Sequence, residues 1–318
     1  MDMGVSSSIS LPLDFQYGGG RRNGAVCEKV FAPNVPSVAY RERNTGDHMK
    51  SRYALCALAS TLCLLPGALA HDAWIELEHE SSASWAAGVY IGHAEDRDRY
   101  ALDAPRISSF FSVSAEGIRN HLSSVTDAEP GADISLEMDA TGAEILALST
   151  FRAVSELEPE TFNDYVVEEG ISPIMSWRAE NGQLNAPGVE VYSRYLKAIA
   201  ATPEDGCDMS FLSKPIGQAL EIVPLTHPGD GCSETLDFEL QYFGAPVEGA
   251  TLHLNRTDEL TDPIKMTTDS NGQASFNRPQ AGVWYVHAAW AMPVDADRFE
   301  ADFATMFSSL SFTLDASE

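Results

Sequence analysis

The chain has 318 residues, 44% of them hydrophobic, and carries 47 Asp and Glu against 20 Lys and Arg, a net charge of −27. So large an acidic excess argues against nucleic acid and anionic membrane surfaces as partners, since both attract basic proteins. It leaves two uses for the acid, steering cations or keeping a protein soluble in a salty medium, and scarce lysine beside abundant carboxylate fits the second.

In chain order, residues 1–48 contain Gly, Ser and Arg without a clear period. Met49-Lys50-Ser51-Arg52 is a short basic start, Ala54 to Leu65 is an apolar run, Pro66-Gly67 breaks it, and Ala68-Leu69-Ala70 is a small-x-small cleavage site. Residues 49–70 therefore read as a signal peptide, His71 as the mature start, and residues 1–48 as an extension upstream of the true start with no fold of its own. The apolar run is well short of the roughly 20 residues that span a bilayer, so no membrane span is expected after cleavage. Cys56 and Cys63 both follow Leu, which does not suit a lipobox. The product is expected to be periplasmic or secreted.

Residues 71–318 hold 13 Lys and Arg against 42 Asp and Glu, and only Lys197, Lys214 and Lys265 among the lysines. That length suits one large or two small domains. Cys207 and Cys232 are the only cysteines past the cleavage site. An even pair in an exported chain reads as a disulfide, worth about 3.5 kcal/mol by loop-closure entropy.

His71 to Glu80 alternates, with Ala73, Ile75 and Leu77 on one face, as a half-buried strand does. Ala86 to Ile91 is a second strand, running into the polar loop Gly92-His93-Ala94-Glu95-Asp96. Residues 107–154 give several short apolar segments between Gly, Asp and Pro, among them Glu144 to Val154. The period then changes. Phe162, Tyr165, Val166 and Glu169 fall at helical spacing with Gly170 as a stop. Tyr192, Tyr195, Leu196 and Ile199 predict a second short helix over Val191 to Ala201. Leu220 to Leu225 is a strand, followed by a turn at Thr226-His227-Pro228-Gly229. From Glu234 onward the pattern is all-β, with Leu236, Phe238, Leu240 and Tyr242 alternating, an Asn271-Gly272 turn, and further strands at Gly282 to Trp290 and Leu310 to Leu314. Short strands at 8–12-residue spacing indicate a β-sandwich. The fold class is mainly β. A β-rich N-terminal domain over 71–230 has helices near 160–200, a sandwich domain spans 231–318, and the boundary lies near Asp230, clamped by Cys207 and Cys232.

Seven segments resemble a known family: HDAW (71–74), FNDYVVEEGI (162–171), VYSRYLKAI (191–199), GQALEIVPLTHPGD (217–230), FELQYFGAPVEGATL (238–252), TTDSNGQASF (267–276) and GVWYVHAAW (282–290). In this order they look like the bacterial exported domain-of-unknown-function family related to NikK-type periplasmic components of nickel and cobalt uptake systems. The resemblance implies a β-rich half with a helical insertion, then an immunoglobulin- or prealbumin-like sandwich. It also implies periplasmic binding of nickel or cobalt beside membrane transporter subunits. Many members carry a late-strand His near Trp290; here the nearest is His287.

The residues offer chemistry for such an ion. Cleavage after Ala70 gives His71 a terminal amine, with a reference pKa of about 7.7–8, beside its imidazole. A second imidazole would complete a brace suited to Cu(II) or Ni(II). His93 is the first candidate, and His287 is a further one, although between Val286 and Ala288 it is equally a core histidine. His121 and His227 are weaker, and His227 before Pro228 can simply cap backbone groups. His79 and His253 sit in ordinary strand alternation and are expected at the surface. Asp72, Glu95 and Asp96 are outer-ligand candidates. No Gly-x-Ser-x-Gly, His-Glu-x-x-His or phosphate loop occurs, so no enzyme activity is expected. Three readings follow: a metal-binding accessory to nickel or cobalt import, a copper histidine-brace chaperone or oxidase, and a non-catalytic carbohydrate-binding or adhesion sandwich.

Overall fold

Apolar residues on both faces of the longest strands require cover on both sides, and the architecture supplies it. The computed structural model describes residues 72–314 apart from 82–83, 93–96, 102–103, 139–142, 201–206, 229–231, 258 and 260. The extension 1–48, the signal 49–70, His71, His93, Glu95 and Asp96 lie outside the described residues.

The N-terminal elements are β1 (Asp72–Ser81), β2 (Ser84–Gly92), β3 (Asp98–Arg99), β4 (Ile107–Ser114), β5 (Gly117–Asn120), α1 (Leu122–Asp127), β6 (Ile134–Glu137), β7 (Glu144–Thr150) and β8 (Ala153–Leu157). Helices α2 (Pro159–Glu168) and α3 (Ser172–Glu180) lead into the long strand β9 (Gly188–Ala200). Then come β10 (Leu220–Pro224), β11 (Thr235–Tyr242), β12 (Ala245–Pro246), β13 (Thr251–Arg256), β14 (Ile264–Thr267), β15 (Gln273–Asn277), β16 (Gly282–Pro293), α4 (Ala296–Phe299) and β17 (Phe303–Leu314). The protein is mainly β.

A nine-stranded sheet, in the order β14-β13-β16-β17-β9-β7-β4-β5 with β8 also on β9, forms the middle layer. Its β17–β9 pair is parallel and its other pairs are antiparallel. A sheet of β10, β11, β12 and β15 covers one face, where Ile222, Phe238, Leu240 and Phe276 pack on Leu252, Leu254, Val286 and Leu310. The other face is shared. A sheet of β1, β2, β3 and β6 packs Ile75, Val89 and Leu136 on Leu146, Leu148 and Leu196. Helices α2 and α3 pack Phe162, Val166 and Ile174 on Ala289, Phe303 and Phe307. Successive residues of one strand thus enter different cores: Val286 and Ala288 one, Ala289 and Ala291 another.

This two-sided burial corrects the expected helix over Val191 to Ala201: Val191 to Ala200 belong to strand β9, and Ala201 lies outside the described residues. With both faces buried, the period of two disappears, and tyrosines three apart imitate a helical stripe. Leu196 and Ala198 face the β1–β2 sheet, while Ile199 and Tyr195 face β10–β11. The second helix is α3 instead, with Pro173 in its first turn and Ile174 and Arg178 buried. The segment Glu144 to Val154 is two strands, β7 and β8, which pair with successive parts of β9. The boundary expected near Asp230 falls outside the described residues; the middle sheet takes strands from either side of it. Cys207 and Cys232 are disulfide-bonded, with Cα atoms 5.4 Å apart. No helix among the described residues is long and apolar enough to cross a membrane.

One ion pair is sealed between layers. Lys197 Nζ lies 2.9 Å from Glu221 Oε1, and both side chains are essentially inaccessible. The Glu221 carboxylate also accepts the backbone N–H groups of Ile216, Gly217 and Gln218. Removing one partner strands the other charge, at a cost of about 3–5 kcal/mol. Lys197→Met or Glu221→Gln alone should therefore lower the denaturant midpoint sharply, and the double variant, which removes both charges while keeping an amide oxygen for the backbone donors, should recover part of the loss. A double variant no more stable than the singles would refute the assignment.

Candidate metal centre

Three elements converge on the face of the middle sheet that β1 and α2 cover. Asp72 opens β1, Glu169 caps the C-terminus of α2, and His287 lies in the interior of β16. Each is at most 6% exposed. One ligand atom from each lies within 4.8 Å of the others.

Local packing explains the convergence. Trp74 stacks on Tyr285 at 4.5 Å between ring centroids and 2° between planes, and on its other neighbour Tyr90 at 5.7 Å. Ser311 on β17 donates a hydrogen bond to the Ile75 carbonyl. These contacts pin β1 against β16 and β17, and the Tyr285 hydroxyl reaches Asp72 Oδ2 at 3.3 Å. Helix α2 ends at Gly170, where φ is +69° and a Cβ would collide with the Thr251 side chain on β13. Glycine there lets the helix end press against the sheet and delivers Glu169.

His287 Nε2 is 3.0 Å from Asp72 Oδ2, while its Nδ1 is 3.8 Å from Glu169 Oε2. The first distance lies within hydrogen-bond range and the second is too long for a hydrogen bond. Two ligands that each stand about 2.0–2.2 Å from a shared ion are roughly 3–4 Å apart, so the second spacing suits co-ligation. The first suits the outer-shell role, in which a carboxylate accepts the distal N–H of a ligating imidazole and fixes its tautomer. Glu169 Oε2 is buried without a hydrogen-bond partner, as a group awaiting a cation would be. The residues therefore fit an ion.

Electrostatics agree. Burial pushes Asp72 up to about 7 from an ordinary 3.8, against the pull of Arg194 and the Tyr285 hydrogen bond. Burial first, and then the Asp72 charge, hold Glu169 well above the usual carboxylate range. Two carboxyls that cannot both ionise cheaply gain from a dication.

Of the expected ligands, His287 is in the cluster, and His71 and His93 lie outside the described residues. Asp72, expected as an outer ligand, is in the cluster too. His121 is engaged elsewhere, with Nε2 2.8 Å from Ser112 Oγ. His253, expected at the surface, is buried directly across from His287, with ring centroids 4.5 Å apart. Glu169 was legible only as an acid within the buried stripe Phe162, Tyr165 and Val166, a position where charge is rarely placed without a use.

A family model described as a domain of unknown function (DUF4198) matches residues 68–291. The chain belongs to the DUF4198 family. All three cluster residues fall inside that span. No curated protein matches the chain. Among solved structures, the DUF4198 chain aligns with a tetra-tandem repeat from the extending region of a large adhesion protein at 10% identity, covering 77% of this chain and 50% of that one, with a TM-score of 0.20. It aligns with dimeric latent PorU from Porphyromonas gingivalis at 10% identity, covering 76% and 20%, also at a TM-score of 0.20. The chain thus spans half or less of these structures, and at such scores neither likeness informs fold or function.

The raised carboxyls make the metal-free protein's stability depend on pH. Unfolded, Asp72 and Glu169 ionise near pH 4; folded, they hold protons to about pH 7 in the case of Asp72 and above the usual range for Glu169. Their contribution is present at low pH and is lost as pH rises from about 4 towards 7. Chemical denaturation of metal-free protein should show this fall, and Asp72→Asn should flatten it. An unchanged slope in the variant would remove Asp72 as its source.

Proposed function

We propose that this DUF4198 protein is an exported transition-metal-binding protein, with His287 Nδ1 and Glu169 as ligands and Asp72 orienting the imidazole. The observation that carries this reading is the buried, unpartnered Glu169 oxygen 3.8 Å from a histidine nitrogen that Asp72 aims. Imidazole with carboxylate suits borderline first-row ions such as nickel, cobalt and zinc. With the family resemblance, that favours an accessory role in nickel or cobalt uptake beside membrane transporter subunits, and binding rather than catalysis. The acidic exterior would draw cations toward the site.

Copper is the second reading, favoured by one adjacency. His71 immediately precedes Asp72, and His93 immediately follows Gly92, the register partner of Asp72. Both brace candidates are thus chain neighbours of the paired residues Asp72 and Gly92, and a free amine at His71 would add a nitrogen donor.

Calorimetric titration of protein beginning at His71 with nickel, cobalt and copper salts tests both. Preference for nickel or cobalt supports import. Tight copper binding that one extra residue before His71 weakens supports the brace. His287→Ala and Glu169→Gln should each lower affinity by about 100-fold or more, and Asp72→Asn by about 10–100-fold. His79→Ala, on an exposed strand end, should change nothing. Absence of binding in the wild type would overturn the metal reading.

A further inference from the structure

His253 stands one ring away from the three-residue cluster and has no assigned task. It sits on β13 between Leu252 and Leu254, whose side chains enter the core on the opposite face. Register places it across from His287 on one side and Lys265 on the other. Its side chain is 3% exposed, yet its Nε2 has no hydrogen-bond partner. Burying a polar nitrogen unmatched costs about 1–3 kcal/mol, and a Leu, Val or Phe at this position would avoid that cost. Ser309, the register partner of His287 on β17, likewise has a buried hydroxyl without a partner. Unmatched polar atoms thus stand on either side of His287 in the ladder, at His253 and Ser309.

We propose that His253 is a further metal ligand, recruited by rotation of its side chain when an ion binds between His287 and Glu169, so that the loaded site presents two imidazoles. This inference rests on the metal reading above and specifies its ligand class. Two neutral nitrogen donors beside carboxylate favour nickel, copper, cobalt or zinc over magnesium, calcium and manganese, which prefer all-oxygen sites. Directly opposed residues on neighbouring antiparallel strands have Cβ atoms about 4.5–5.5 Å apart, a separation from which two imidazoles can converge on one ion.

Copper(II) serves as the probe, because pulsed electron paramagnetic resonance counts coordinated imidazoles through their remote nitrogens. Wild-type protein should show two imidazoles from His253 and His287, and a third only if His71 or His93 also binds; His71→Ala/His93→Ala protein removes that ambiguity and should still show two. His253→Gln in that background should show one, lose about tenfold or more in nickel affinity and keep its manganese affinity. Circular dichroism and the thermal midpoint report whether the variant folds, and the imidazole count in the unsubstituted His253 background needs no variant at this position. One imidazole there, lost on His287→Ala, would overturn the role of His253 while leaving the metal reading intact. No copper or nickel binding at all would instead overturn the metal reading itself.

Discussion

A middle sheet covered on both faces is the constraint on which this structure depends. Strands β9, β16 and β17 have no solvent side over most of their length, so each polar group they carry must be answered from a covering layer. On one face, Lys197 meets Glu221, whose carboxylate is also saturated by three backbone donors. That answer is complete, and it is structural. On the other face, His287 meets Asp72 and approaches Glu169, and the accounting does not close. Similar burial thus gives a locked pair on one side and an open donor set on the other.

The open set lies where three layers meet. The end of β1, the end of α2 and the interior of β16 come from distant parts of the chain, and aromatic stacking and a glycine-terminated helix hold them in register. Rigid elements rather than loops thus place the donors, which is how a metal site keeps its geometry. The same burial raises the Asp72 and Glu169 carboxyls, so an ion bound as proposed would displace protons, and its affinity would depend on pH. The protein carries an unfavourable concentration of acid in its interior, and a dication would reverse the sign of that cost.

Much of the fold was legible. The presence of strands β1 and β2, the α2 stripe with its Gly170 stop, the Asn271-Gly272 turn and the Cys207–Cys232 bridge all follow local rules, although β1 is buried on both faces over Asp72 to Ile75 rather than alternating. Strand β9 did not, because a strand buried on both faces loses the alternation that announces it, and its Lys197 and Arg194 resemble the polar side of a helix. His253 escaped for a related reason. It reads as the outward residue between two inward leucines, and only the second covering layer makes that outward face an interior one.

A mainly β, acidic, disulfide-bearing chain could be read from the residues alone, and His287 stood out as having either a packing or a ligand role. Those properties are local: alternation, turn chemistry, cysteine count and charge are written in neighbouring residues. The meeting of Asp72, Glu169 and His287, with His253 beside them, comes from packing of distant segments. Nearly 100 residues separate Asp72 from Glu169 and more than 100 separate Glu169 from His287, and no periodicity reaches across such gaps. What joins them is the requirement that both faces of one sheet be covered, and the choice of cover is made by packing.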